Sequence, residues 1–191
     1  MNTLYPVFLK TENFSILIVG GGFVGTEKMS FMLKNSPNAN ITLVAKEISE
    51  EIRLLAESRP AVQLKEKAFE HADLEHHQLV IAATADKTLN HQIYLAAKEK
   101  QVLINVADTP DLCDFYLGSI VTKGDLKIAI STNGKSPTLS KRLREFFEEI
   151  LPENINELIV HLHDYRNTLK GSFEEKVQRL NDITKDFLSK K

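Results

Sequence analysis

The chain has a single cysteine, Cys113. It can form no internal disulfide, and no cysteine cluster is available to hold a structural zinc ion. It has no apolar run approaching the roughly 20 residues that a membrane-spanning helix needs, so no membrane partner is expected. It has no excess of either charge: 24 Lys and Arg stand against 26 Asp and Glu, for a formal net charge of -2. Nucleic acid is therefore not an expected partner. Internal repeats and low-complexity tracts are lacking too. The opening "MNTLYPVFLKTEN" carries neither a basic start nor a long apolar segment, so it does not read as a secretion signal, and a cytoplasmic location is expected.

What remains is a 191-residue chain with 42% hydrophobic residues, enough for one compact domain or one with a small appendage. Strand signals fall at Ser15–Val19, Ile41–Val44, Val62–Glu66, Leu79–Ala83 and Val102–Val106, with helical patterns at Val24–Asn35, Ser49–Ser58 and Leu89–Lys100. The first and fourth strands are almost wholly apolar, as strands buried on both faces of a parallel sheet are. The alternation predicts an α/β fold with an open, doubly wound sheet. After about Asp111 the pattern changes. Phe115–Val121 and Lys127–Ile130 read as two strands around a Lys123-Gly124-Asp125 turn. Pro137 suits the first position of a following helix, with Ser136 as its N-cap. Ile155, Leu158, Ile159, Leu162, Tyr165 and Leu169 recur at helical spacing, and after a break at Gly171 so do Val177, Leu180, Ile183 and Phe187.

Gly20-Gly21-Gly22-Phe23-Val24-Gly25 fits G-x-G-x-x-G, between a strand and a helix. In that setting Gly20 permits the tight turn, Gly22 lets backbone approach a pyrophosphate, and Gly25 lets the helix pack close to the sheet. Freed N–H groups and the helix dipole then attract phosphate. An acid usually ends the second strand and binds the adenosine ribose. Here the order is Ala45-Lys46-Glu47. The acid is displaced to Glu47, and Lys46 is placed to meet a 2′-phosphate, so the choice between NAD and NADP stays open, as does the plainer reading of a solvated loop. "VIAATADKTLN" ends the fourth strand with Thr84, and "INVADTP" delivers Asn105 and Asp108 to the same edge. Ligands of such sheets bind outside the carboxyl ends of the strands. Asp108 is then a candidate acid, although Asp before Thr-Pro is also a common turn former.

The blocks "YPVFL", "ILIVGGGFVGTEK", "VIAATADKTLN" and "NVADTPDLCDFYLGSIVTKGDLKIAISTNGKSPTLSKRLRE", in this order, resemble the precorrin-2 dehydrogenase family, the siroheme synthase domains of which some are also sirohydrochlorin ferrochelatases. The resemblance covers residues 4–150 and continues more weakly into the C-terminal helices. It implies NAD-dependent oxidation of precorrin-2 to sirohydrochlorin by a homodimer. It also implies a Rossmann-type domain at 1–112, a small α+β dimerisation domain at 113–150 that interlocks with a partner chain, and a C-terminal helical domain at 151–191. The family's key acid falls on Asp108 and its cofactor contacts on Phe23, Val24, Lys46 and Glu47. No methyltransferase module follows, so the stand-alone form is expected.

The substrate carries several carboxylates. Asn133, Gly134, Lys135 and Ser136 precede a helix whose first turns hold Lys141, Arg142 and Arg144, a setting suited to carboxylates; the alternative is an ordinary solvated face. His76-His77 and His161-x-His163 share no helix face and have no cysteine beside them, so no metal is expected. Phe146 and Phe147 read as core or interface residues. Two other functions stay open: a bifunctional enzyme that also inserts ferrous iron, and, more remotely, a non-enzymatic nucleotide-sensing domain.

Overall fold

The computed structural model describes residues 2–185; Phe187, expected on the last helix, lies outside them. The elements are β1 (Ser15–Val19), α1 (Phe23–Asn35), β2 (Asn40–Ala45), α2 (Glu50–Glu57), β3 (Val62–Glu66), β4 (Leu79–Ala82), α3 (Lys87–Glu99), β5 (Leu103–Val106), β6 (Ser119–Lys123), β7 (Leu126–Ile130), α4 (Pro137–Ile150), α5 (Ile155–Thr168) and α6 (Phe173–Thr184). Packing groups them into two units. The first holds the chain up to Leu117 together with Ser131–Ser136; the second holds Gly118–Ile130 and the chain from Pro137 onward.

In the first unit five parallel strands run in the order β3-β2-β1-β4-β5. Alternate residues of the apolar strands point to opposite faces. Ile16 and Ile18 pack with Met29 of α1 and Ile52 of α2. Leu17 and Val19 pack with Ile93 and Ala97 of α3. Helices thus cover both faces, and the doubly wound α/β expectation holds. The strand order reverses between β1 and β4, which makes a crevice at their carboxyl ends.

Helix starts follow capping chemistry. Asp86 accepts from Thr88 N at 2.8 Å and Leu89 N at 3.1 Å, so α3 begins at Lys87, ahead of the expected Leu89. The free edge of β5 is covered by its own chain: Asp114 N donates to Ile104 O at 2.7 Å, and Ile104 N to Asp114 Oδ2 at 3.1 Å. This draws the following residues onto the first unit, where Phe115 and Leu117 pack against the core. The strand expected from Phe115 therefore starts only at Ser119, and residues 113–117 belong by packing to the sheet unit.

In the second unit β6 and β7 form an antiparallel hairpin, turned at Gly124 with φ 57. Lys123 Nζ donates to Leu151 O at 2.6 Å and pairs with Glu153 at 2.7 Å, and Asp125 N donates to Asn156 Oδ1 at 2.8 Å. These bonds tie the hairpin to the α4–α5 connection and to the first turn of α5, so packing draws no boundary at residue 150. The chain breaks at Gly171, φ 119, before α6 starts on a Ser172–Glu175 capping box. No helix among the described residues is long and apolar enough to cross a membrane.

Ile18 is fully buried between β2 and β4. Ile18→Ala should lower stability by about 2–5 kcal/mol, read as a lower urea midpoint. Thr122→Ala, on the exposed side of β6, should stay within about 0.5 kcal/mol.

Candidate active site

The glycines after β1 divide by what surrounds them. Gly20 has φ 127, a conformation that side chains rarely adopt. A Cβ there would also strike the carbonyl of Ala83, just past β4, and a Cβ on Gly25 would strike the carbonyl of Gly20. Packing of α1 on the sheet demands both. Gly22 differs: it is exposed, caps α1 with extended backbone, and a Cβ would meet nothing within 4 Å. The first turn of α1 contains no acid. This is an open cradle at a helix N-terminus, and it fits the pyrophosphate of a dinucleotide.

Gly21 had no sequence-based role. A Cβ there would collide with Glu47 O, and Ser49 N donates to Gly21 O at 3.0 Å. The loop after β2 is thus pressed onto the glycine loop. It presents Lys46 and Glu47, both exposed and in no ion pair among the described residues. The neighbouring acid, Glu66 at the end of β3, is occupied. Arg53 grips both its oxygens at 2.8 Å and holds its carboxyl below the usual carboxylate range. Phe23 is 83% exposed at the first position of α1, while the Val24 side chain packs against the core and leaves only its backbone to a ligand.

Two expected cofactor contacts use their side chains on the fold. Thr84 Oγ1 lies 2.6 Å from Asn90 Oδ1 and accepts from Asp86 N at 3.2 Å; Asn90 Nδ2 donates back to Thr84 O at 3.0 Å. Asn105 is buried and donates to Phe115 O at 2.8 Å. Both side chains shape the strand ends. Asn90 was not foreseen, though the Thr84-x-Asp86-x-x-x-Asn90 spacing marks a capped turn closed by a helical side chain.

Asp108 stands two residues beyond β5, exposed, with φ 56. Asp tolerates this left-handed region better than most residues, and such outliers gather at functional sites. Its carboxylate makes no hydrogen bond or ion pair among the described residues. The turn that carries it is held by Cys113. Val106 N donates to Sγ at 3.3 Å, and Sγ lies 3.3 Å from both Val106 O and Thr109 O. Burial pushes the Cys113 thiol up, so it stays a neutral S–H donor. A lone cysteine excludes an internal disulfide and carries no local sequence sign of this role.

Asn133, φ 54, and Gly134, φ 72, turn the 131–136 loop, where a Cβ on Gly134 would meet Pro110 at 3.9 Å and Tyr116 at 4.0 Å. Asn133, Lys135 and Ser136 thus share a unit with Asp108. Lys141 and Arg142 lie on α4 in the second unit, where both pair with Glu145, at 4.0 and 2.9 Å. That pairing is what an ordinary solvated helix face shows.

A family model described as NAD(P)-binding matches residues 7–119, and one described as sirohaem biosynthesis protein central matches residues 123–150. The siroheme synthase of Psychrobacter cryohalolentis is 38% identical over 172 residues, 90% of this chain and 32% of that protein. The siroheme synthase of Methylococcus capsulatus is 35% identical over 170 residues, 89% of this chain and 35% of that protein. The chain spans about a third of the length of these curated relatives. Among solved structures, SirC, precorrin-2 dehydrogenase, is similar with a TM-score of 0.75 and 28% identity, covering 94% of this chain and 89% of that one.

Because Gly22 borders open space and Gly25 does not, the two positions should respond differently. Gly22→Asp should fold like the parent and bind no NAD detectable by calorimetry, since its carboxylate occupies the phosphate cradle. Gly25→Val should lose stability first, read as a lower melting temperature.

Proposed function

This chain belongs to the family of NAD(P)-binding sirohaem-biosynthesis proteins, and from that membership we propose that it oxidises precorrin-2 to sirohydrochlorin with NAD. The observation that carries the reading is an open glycine cradle and an unpaired carboxylate, Asp108, on one carboxyl edge of the sheet. The likeness to SirC over 94% of the chain supports the same substrate.

Oxidation removes two hydrogens from the tetrapyrrole, one as a hydride and one as a proton. NAD, when bound, supplies the hydride acceptor. The chain's own part is to hold the pyrophosphate at Gly22 and the α1 N-terminus, to meet the adenosine side with Lys46 and Glu47, and to place Asp108 beside the reacting ring. The Asp108 carboxylate either takes the proton or orients the ring that loses it. Lys135 and the Asn133 loop, in the same unit, are suited to a substrate carboxylate.

The same reading includes a cytoplasmic homodimer. Its support is in the second unit, which leaves Phe146 at 52%, Ile150 at 53%, Phe173 at 64% and Ile183 at 54% exposure. Apolar area of this kind usually marks an interface. Light scattering at micromolar concentration should give the mass of two chains; a monomer there would refute the dimer.

Anaerobic incubation with NAD and precorrin-2 should convert the absorption spectrum to that of sirohydrochlorin; nucleotide binding with no spectral change would indicate a sensor domain. Asp108→Ala should retain the fold and NAD affinity and lose about 10²–10⁴-fold in turnover. Asp108→Asn separates the two roles. Activity retained in Asn and lost in Ala means that the residue positions the ring; loss in both identifies the proton acceptor. Near-parental turnover in both would sink the assignment.

A further inference from the structure

A chain of four groups links the N-terminus of α2 to the glycine loop. Ile52 N lies 3.4 Å from Ser49 Oγ, Ser49 Oγ lies 3.0 Å from Thr26 Oγ1, and Thr26 Oγ1 lies 3.0 Å from Gly22 O. The ends fix the direction, because an amide N–H only donates and a carbonyl only accepts. Ile52 N–H donates to Ser49, Ser49 O–H to Thr26, and Thr26 O–H to Gly22. Each bond in such a chain polarises the next. Thr26 N also donates to Gly22 O at 2.9 Å, and Ser49 N to Gly21 O at 3.0 Å. The carbonyls of buried Gly21 and exposed Gly22 are therefore engaged from the side of α1 and the β2–α2 loop.

From this we propose that Thr26 and Ser49 are positioning residues for the dinucleotide, joining the phosphate cradle and the Lys46–Glu47 loop into one pre-ordered surface. The argument rests on the dinucleotide reading above. A Cβ on Gly22 would meet nothing within 4 Å, so hydrogen bonds to its carbonyl rather than side-chain packing hold it, and glycine loses more conformational freedom on ordering than any other residue. Were the loop ordered only by the ligand, that entropy would be subtracted from affinity. The Thr26–Ser49 hydroxyl pair orders it beforehand. It also fixes Lys46 and Glu47, three and two residues before Ser49, relative to the phosphate site, so both halves of an adenosine diphosphate meet one surface. Thr26 is half-buried and lies on α1 only four residues from Gly22, so its hydroxyl contributes to the loop with little bearing on the core.

The test measures NAD and ADP-ribose binding by calorimetry for the parent, Thr26→Val, Thr26→Ser, Ser49→Ala and the Thr26→Val/Ser49→Ala double variant. Thr26→Val keeps volume and branching and removes the hydroxyl. It should weaken both ligands about 5- to 20-fold, the size of one or two hydrogen bonds, with the melting temperature within a few degrees of the parent. Thr26→Ser should restore the affinity. The double variant should bind no more weakly than the weaker single one, because both break the same chain. In turnover, KM for NAD should rise while kcat at saturating NAD stays put; a purely structural role would lower the melting temperature and leave that ratio alone. Should Thr26→Val melt early, the Ser49→Ala and Thr26→Ser pair carries the comparison. Thr26→Val and Ser49→Ala binding NAD within twofold of a parent that binds would overturn the brace alone. A parent that binds neither NAD nor ADP-ribose would overturn the dinucleotide reading and the brace with it.

Discussion

Everything at the carboxyl edge depends on the backbone crossing at Gly20. Gly20 N donates to Val44 O, Ala83 N to Val19 O and Ala107 N to Ala82 O, at 3.0, 2.8 and 2.9 Å. The sheet ladder therefore continues one residue past β1, β4 and β5, and the three loops leave from one level. Gly20 is squeezed between the carbonyl of Ala83 and the helix that Gly25 seats on it. A side chain at either glycine would lift α1 away from the sheet. The N-terminus of α1 would then no longer lie over the point where the strand order reverses, which is where such sheets bind ligands.

A second constraint follows from crowding the strand ends. Loops that leave a sheet at one level need their backbone groups satisfied, and nearby polar side chains do this first. Thr84 and Asn90 close the loop after β4; Asn105 and Cys113 close the one after β5; Ser49 and Thr26 close the two after β2 and β1. Of these small polar groups, Thr84 and Asn105 are the two that the sequence marked as cofactor contacts.

This explains what was legible. The strands and helices of the sheet unit follow from apolar periodicity and capping residues, because both are local. The glycine roles were legible too, since a turn, an open cradle and a close packing contact follow from one short motif in a strand–helix setting. The contacts that were missed join residues far apart in the chain. Cys113 holds the turn at Val106, Asp114 covers the edge of β5, and Ser49 reaches Thr26 across 23 positions. Phe115 shows the cost of reading locally: it has strand propensity and sits in an apolar run, yet Asn105 fixes its carbonyl and the core takes its ring. Lys141 and Arg142 read as carboxylate contacts from their place in the first turns of α4, and both pair with Glu145, on the next turn of that helix.

The acids near this edge sort by what already holds them. Asp86 spends its carboxylate on the N-terminus of α3, where two N–H groups donate to it. Protonating it would uncap the helix, so it is poorly suited to passing protons during turnover. Asp114 binds Ile104 N and Lys98 at 3.1 and 2.7 Å, so its charge is committed to the edge of β5. Glu66 is held by Arg53, which keeps it ionised but leaves it no free oxygen. Asp111 lies exposed in a 3-10 turn that starts with Pro110, and its neighbours impose no special backbone on it. Among these acids Asp108 alone combines an unengaged carboxylate with a left-handed backbone, in a turn that half-buried Cys113 holds in place. The role proposed for Asp108, to take a proton from a bound ring or to orient that ring, needs both properties: a carboxylate free of other bonds and fixed in position without them.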